Sequence, residues 1–227
     1  EKSTVDTRAF VLILADFKHE KYGDEYPVAL LNRKMLMPSK YKAWQGKLGL
    51  FGGKVEPGET PVRCAHRELR EELGLSFCEQ EGFVSRADIV FRQNSIQLGG
   101  YHIFKAHLNQ YSLVGGESEH GWHCRAPFNQ KGMTHLAGKC TEGLLDVFSL
   151  DRLKRTSPDE FLSPELYQIV QGHLLFAHWT RVCSEPGVTP AHVRKDFLAQ
   201  AGINSKGWPL SCGVGSRASE RSIDGGE

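Results

Sequence analysis

The chain has 227 residues, 40% of them hydrophobic and 24% charged, a composition typical of a soluble globular chain long enough for one substantial core. With 28 Lys and Arg against 27 Asp and Glu the formal charge is +1, which excludes a global attraction to polyanions and leaves only local basic patches to hold one. The 6 cysteines have no regular spacing and read as reduced thiols, and no apolar stretch reaches the length of a membrane span.

Residues 8–14 form a compact apolar run of strand length. Residues 16–26 are charged and predict a hairpin loop, after which 28–33 predict a second strand with Arg33 at its end. The connection 34–47 is basic and carries Lys34, Lys40, Lys42 and Lys47 together with Tyr41 and Trp44. Such a loop has the means to stack a base and meet phosphates. The plainer expectation packs Trp44 on the core. Residues 48–51 predict a short strand that delivers Gly52 and Gly53.

The next stretch carries the chemistry. Thr60 can cap a helix, Pro61 suits its first position, where a missing N–H is no loss, and Gly74 suits the left-handed residue after it. Val62, Ala65, Leu69 and Leu73 fall at helical spacing and predict one apolar stripe. Beside it Glu68, Glu71 and Glu72 are neighbours at i, i+3 and i+4, so their charges repel unless a cation offsets them. Alone, such a trio reads as a solvated face. A hard divalent cation, which takes oxygen ligands and leaves room for phosphate, is the functional alternative.

The full spacing is Gly53, five residues, Glu59, seven residues, Arg67-Glu68-Leu69, one residue, Glu71-Glu72, one residue, Gly74-Leu75. It resembles the Nudix box at every specified position, in the loop-to-helix context that the motif requires. The resemblance implies a three-layer α/β/α sandwich with a mixed β-sheet over residues 5–183, and a short C-terminal extension over 184–227. It implies Mg²⁺ or Mn²⁺ held by Glu68, Glu71, Glu72 and the carbonyl of Gly52, with Arg33 and Lys54 facing phosphates. Glu59 and Arg67 resemble the pair that locks loop to helix, and Arg67, Glu59 and the three helix glutamates make up the expected catalytic set.

After the box, 83–92 and 97–108 predict two strands around 93–95, and Gly99-Gly100 predicts a bulge in the second. Residues 109–141 are long, polar and glycine-containing, and predict a functional loop. There Glu117 or Glu119 resembles the additional loop glutamate of many Nudix enzymes. A zinc site from His120, His123, Cys124, His135 and Cys140 is disfavoured, because their spacing fits no standard ligand set. Residues 143–153 predict a last strand running into a helical turn. Ser163 then caps a core-covering helix over 164–183 with Leu166, Ile169, Val170, Leu174 and Ala177 at helical spacing. A short helix over 189–201 and a Gly/Ser-rich tail follow.

The implied reaction is metal-dependent hydrolysis of the diphosphate bond in a nucleoside diphosphate linked to a further group, with a nucleoside triphosphate, oxidised or not, as the leading substrate. Two alternatives stand beside it: a pyrophosphohydrolase or decapping enzyme acting on RNA 5′ ends, and a catalytically silent module that binds nucleotide or RNA. The chain begins at Glu1 and not at a methionine, which fits a targeting segment either removed by processing or truncated from the sequence, and its thiols fit a cytoplasmic or organellar location without membrane attachment.

Overall fold

The computed structural model describes residues 7–18, 25–35, 37–74, 96–98, 100–108, 112–113, 122–123, 128–182 and 202. At its centre lies β1 (Arg8–Lys18), paired along both edges. On one edge its first half runs antiparallel to β4 (Phe51–Lys54) and its second half antiparallel to β2 (Glu25–Lys34). On the other edge it runs parallel to β6 (Tyr101–His107) and then to β9 (Phe128–Asn129). A strand so enclosed buries side chains on both faces, which is why residues 8–14 read as a continuous apolar run. The sheet is completed by β3 (Leu48–Gly49) and β10 (Gly143–Ser149) against β2, and by β5 (Ile96–Leu98) against β6. A separate ribbon joins β7 (Ser112–Leu113) to β8 (Trp122–His123).

Alternation along β1 divides the core into two layers. Ala9, Val11, Ile13, Ala15 and Phe17 pack with Cys64, Ala65, Leu69 and Leu73 of α1 (Pro61–Leu73) and with Leu136 of α2 (Gln130–Lys139). Leu12 and Leu14 face the other way, toward Leu153 of α3 (Leu150–Lys154) and Leu166, Ile169, Val170 and Leu174 of α4 (Pro164–Val182). Each fully buried leucine of these sets contributes roughly 2 kcal/mol of transfer free energy. The expected α/β/α sandwich with a mixed sheet is the observed architecture.

The ends of α1 follow from local chemistry. Thr60 Oγ1 accepts the Arg63 N–H at 3.3 Å, Pro61 opens the helix, and Gly74 closes it at φ 62°, its N–H reaching the carbonyls of Arg70 and Leu69. At the start of α4, Ser163 Oγ likewise accepts the Leu166 N–H at 3.3 Å.

Several expectations are corrected. Val62 is 37% exposed, and Cys64, two residues on and turned about 200° around the helix, joins the core in its place. The charged hairpin loop is shorter than 16–26, since β1 and β2 remain paired out to Lys18 and Glu25. Residues 97–108 are two strands and not one: β5 and β6 form a hairpin in which Leu98 faces Tyr101, and Gly100 lies in its turn. The 109–141 stretch contains β7, β8, β9 and the ten-residue α2, whose Leu136 is buried with Met133 and Cys140 packed around it. The strand at 83–92 and its turn, Glu117, Glu119, His120, Cys124, the helix at 189–201 and the tail lie outside the described residues. No helix among the described residues is long and apolar enough to cross a membrane.

Candidate active site

The glycine loop lets helix carboxylates close onto the sheet. Gly52 pairs with Phe10 at φ 136°, where a Cβ would run into the carbonyl of Ala9. At Gly53 a Cβ would fall on the Glu68 carboxylate. With both side chains absent, the Gly52 N–H donates to Glu72 Oε2 at 2.8 Å, and Glu68 reaches the strand. Cys64 lies beneath, its thiol donating to the carbonyl of Lys54, and burial pushes that thiol up to about 12.

Arg67 binds this loop to the helix. Its Nε and one terminal nitrogen donate to the two oxygens of Glu59 at 3.1 and 3.2 Å, and the same terminal nitrogen donates to the Lys54 carbonyl at 3.1 Å. The other terminal nitrogen donates to Glu68 Oε1 at 2.8 Å and Glu71 Oε2 at 3.1 Å. Such fork geometry is available to arginine and not to lysine. Glu59 in turn accepts the Glu56 N–H at 3.0 Å, which sets the turn before the helix. The Arg67 guanidinium holds the Glu59 carboxyl below its usual range, whereas burial raises that of Glu68.

Glu72 is 1% exposed, and burial lifts its carboxyl to about 8 against the opposing pull of Lys34. Lys34 Nζ stands 3.5 Å from Glu72 Oε1 and 3.8 Å from Glu142 Oε2. The end of α1 delivers Glu142, because the Thr141 N–H donates to the carbonyl of Glu72 at 3.1 Å and its hydroxyl to that of Glu71 at 3.3 Å. Alternation along β2 places Lys34 here and turns Arg33 the other way. Arg33, expected at the phosphates, instead pairs with Asp146 at 2.8 Å and donates to the Gly46 carbonyl at 2.9 Å, and it does not line the cavity.

A cavity of about 440 Å³ opens over these groups. Its polar portion is formed by Lys34, Lys54, Glu68 and Glu142 and by the backbone of Gly52 and Gly53, with Arg8 also on its lining. Its apolar portion comes from Phe10, Leu50 and Ile103 on the sheet, from Leu166 of α4, and from Tyr41 and Trp44 on a 3₁₀ turn at Ser39–Trp44. Trp44 is therefore a cavity residue and not a core residue. Reading the sequence missed Glu142 and Arg8 as site residues. No local pattern distinguishes them, since both are brought in by pairings distant in sequence.

The family model of the NUDIX domain matches residues 9–124. The chain belongs to the Nudix family. It is a hydrolase of pyrophosphate bonds. Solved structures similar to it include a mutT/nudix family protein from Listeria innocua, at 16% identity over 67% of this chain and 84% of that one, with a TM-score of 0.44. Others are a Nudix hydrolase from M. smegmatis, at 17% identity over 68% and 78% with a TM-score of 0.37, and an Ap4A hydrolase from C. elegans, at 18% over 46% and 69% with a TM-score of 0.30. Likenesses this loose say nothing about substrate. No curated protein matches the chain.

Nudix hydrolases generally work with divalent metal ions. Among the described residues no three Asp, Glu, His or Cys side chains converge as a ready metal cluster. The reason is that Arg67 engages Glu68 and Glu71, while Glu72 turns to the Gly52 N–H and Lys34. The donor set nonetheless fits a hard cation. Glu72 Oε1 is buried without a hydrogen bond, and Glu68 lines the cavity beside it.

The two glycines predict opposite failures. Gly53→Ala is expected to displace only the end of the Glu68 side chain, lowering kcat by about 100-fold with the melting temperature nearly unchanged. Gly52→Ala drives a Cβ into backbone at a positive φ and is expected to cost roughly 3 kcal/mol of stability, measured by urea denaturation.

Proposed function

We propose that this Nudix hydrolase is a Mg²⁺- or Mn²⁺-dependent pyrophosphohydrolase that cleaves the diphosphate bond of a nucleotide, with nucleoside triphosphates as the leading substrates and residues 5–183 as the catalytic unit. One observation carries this reading. The box residues Gly52, Gly53 and Glu68, together with Glu142, two lysines and an aromatic pair, line the same cavity, which is of a size that takes a small-molecule ligand.

Glu68, Glu72, Glu71 and the Gly52 carbonyl would hold the metal. When bound it supplies neutralisation of phosphate charge and activation of a water nucleophile. The remaining work falls to the protein. Lys34, Lys54 and Arg8 bring positive charge to the cavity, and the bare glycine backbone lets phosphate oxygens approach closely. Arg67 holds the loop and the carboxylates in one geometry. Glu142, which lines the cavity and is not bonded to Arg67, is the candidate acceptor for the proton of the attacking water.

Mononucleotides are favoured over RNA 5′ ends because three of the four lysines of 34–47 are engaged within the fold. Lys47 donates to the carbonyl of Asp159, Lys40 lies over the Tyr41 ring at 4.7 Å, and Lys34 is buried beside Glu72. A metal-supplemented screen of nucleoside triphosphates, dinucleoside polyphosphates, nucleotide sugars and 5′-triphosphate RNA tests this, with products identified. Release of pyrophosphate or phosphate from the small nucleotides is expected. Hydrolysis of RNA alone would replace the substrate assignment, and hydrolysis of nothing would overturn the reading.

A further inference from the structure

Resting on the metal-dependent reading above, we propose that Lys34 competes with the divalent cation for Glu72, the ammonium and the metal taking the same carboxylate in turn, so that Lys34 sets the metal affinity of the site.

The backbone brings Lys34 to the carboxylates. Lys34 pairs with Gly143 of β10, its N–H donates to the Lys47 carbonyl at 2.9 Å, and its own carbonyl accepts the Gly46 N–H at 2.6 Å. A Cβ at Gly143 would strike the carbonyl of Arg33, so glycine there lets β10 begin close to β2 and sets Glu142, one residue earlier, beside Lys34. From this fixed root the side chain ends 3.5 Å from Glu72 Oε1 and 3.8 Å from Glu142 Oε2, on the wall of the cavity.

The two cations that meet the box carboxylates are held differently. Arg67 donates to Glu68 and Glu71 at 2.8 and 3.1 Å, and to Glu59 and the Lys54 carbonyl besides. Lys34 stands farther from its carboxylates than the roughly 2.7–2.9 Å of a charge-assisted hydrogen bond. Glu72 Oε1, the oxygen that faces it, is buried without a hydrogen bond. Leaving such an oxygen unsatisfied is costly, and a hard cation would satisfy it. Glu72 is therefore the carboxylate that a cation takes most readily, and Lys34 is the group that must yield. An ammonium suits this exchange, because it is a point charge on a flexible four-carbon stem and the cavity gives it room. A neighbouring charge changes the proton affinity of a carboxyl by about 10- to 1000-fold. A divalent ion feels that charge twice over, but a side chain that swings away relieves part of the repulsion, so about tenfold in metal affinity is expected.

The test titrates the chelator-stripped protein with Mn²⁺ alone, in the absence of nucleotide, and reads free Mn²⁺ by electron paramagnetic resonance. Lys34→Met and Lys34→Gln are each expected to bind Mn²⁺ about tenfold more tightly than the parent, and Lys34→Arg, which keeps the charge, should restore the weaker binding. In a Glu72→Gln background Lys34→Met should change the affinity by less than about threefold, since the contested carboxylate is gone. Binding that is unchanged or weaker in both charge-free variants would overturn the proposal, because a lysine with a merely structural role would lower the melting temperature without tightening the metal. An equal gain in the Glu72→Gln background would also overturn it, by making Lys34 a source of general repulsion. The expected pattern in a protein that hydrolyses no nucleotide would support the exchange while overturning the proposed reaction. A parent protein that binds no Mn²⁺ would overturn both.

Discussion

Glu72→Gln is expected to lower kcat by about 10² to 10⁴-fold while the protein folds normally. The substitution keeps the shape of the side chain and leaves an amide oxygen to accept the Gly52 N–H. It removes the ability of this buried carboxyl, in contact with Lys34, to ionise in the presence of a cation. Stability is therefore expected to hold, because burial raises the Glu72 carboxyl to about 8 and leaves it largely uncharged near neutral pH, as glutamine is. A near-normal kcat would remove Glu72 from the chemistry. A collapse of the melting temperature would instead make its role structural.

Arg67→Ala is the second large effect, on stability and turnover together. It deletes the hydrogen bonds to Glu59, Glu68, Glu71 and the Lys54 carbonyl, and leaves partly buried carboxylates without their cation. Breaking a buried pair costs about 3 to 5 kcal/mol, and partial exposure of Arg67 reduces this to roughly 2 to 4 kcal/mol. The urea midpoint should fall accordingly, and kcat should drop by at least about 100-fold as Glu68 loses its position. Arg67→Lys should recover little, since an ammonium cannot fork onto two carboxylates at once.

The same contact has a pH signature. Because the folded Glu59 carboxyl lies below its ordinary value of 4.5, its stabilisation is fully present above that value. It is lost as pH falls through the folded value. Acid titration of stability below 4.5 should therefore be shallower in Arg67→Ala than in the parent protein, with urea denaturation as a function of pH as the measurement.

The legible parts of this protein are those whose cause is local. Thr60, Pro61 and Gly74 delimit α1 because caps act within one turn, and the α4 stripe of Leu166, Ile169, Val170 and Leu174 is visible because helical periodicity alone determines it. The box spacing identifies Glu59, Arg67 and the three glutamates for the same reason, since all of them lie on one loop and one helix. Helix α2 was hidden by its polar and glycine residues. Among the described residues, Met133 and Leu136 of the helix and Cys140 just after it, spaced by three and four, mark the face it buries.

Partners in the site were a different matter. Arg33 and Lys34 are adjacent cations at the end of one strand, and sequence offers no means to choose between them. A strand turns successive side chains to opposite faces, so the register of β2 sends Lys34 to Glu72 and Arg33 to Asp146. Glu142 arrives because Thr141 bonds the last carbonyls of α1, seventy residues away in sequence from Glu71. Trp44 reaches the cavity through a 3₁₀ turn stabilised by its stack on Tyr41.

Sequence by itself determined the parts of the candidate site: a glycine loop, a capped helix and a set of carboxylates with an arginine among them. These are short-range consequences of residue type and spacing. Tertiary structure alone decided which cation faces those carboxylates, which further glutamate joins them and what kind of surface lines the rest of the cavity. Each of these depends on strand register and on packing between elements far apart along the chain, where a shift of one residue exchanges one face for the other.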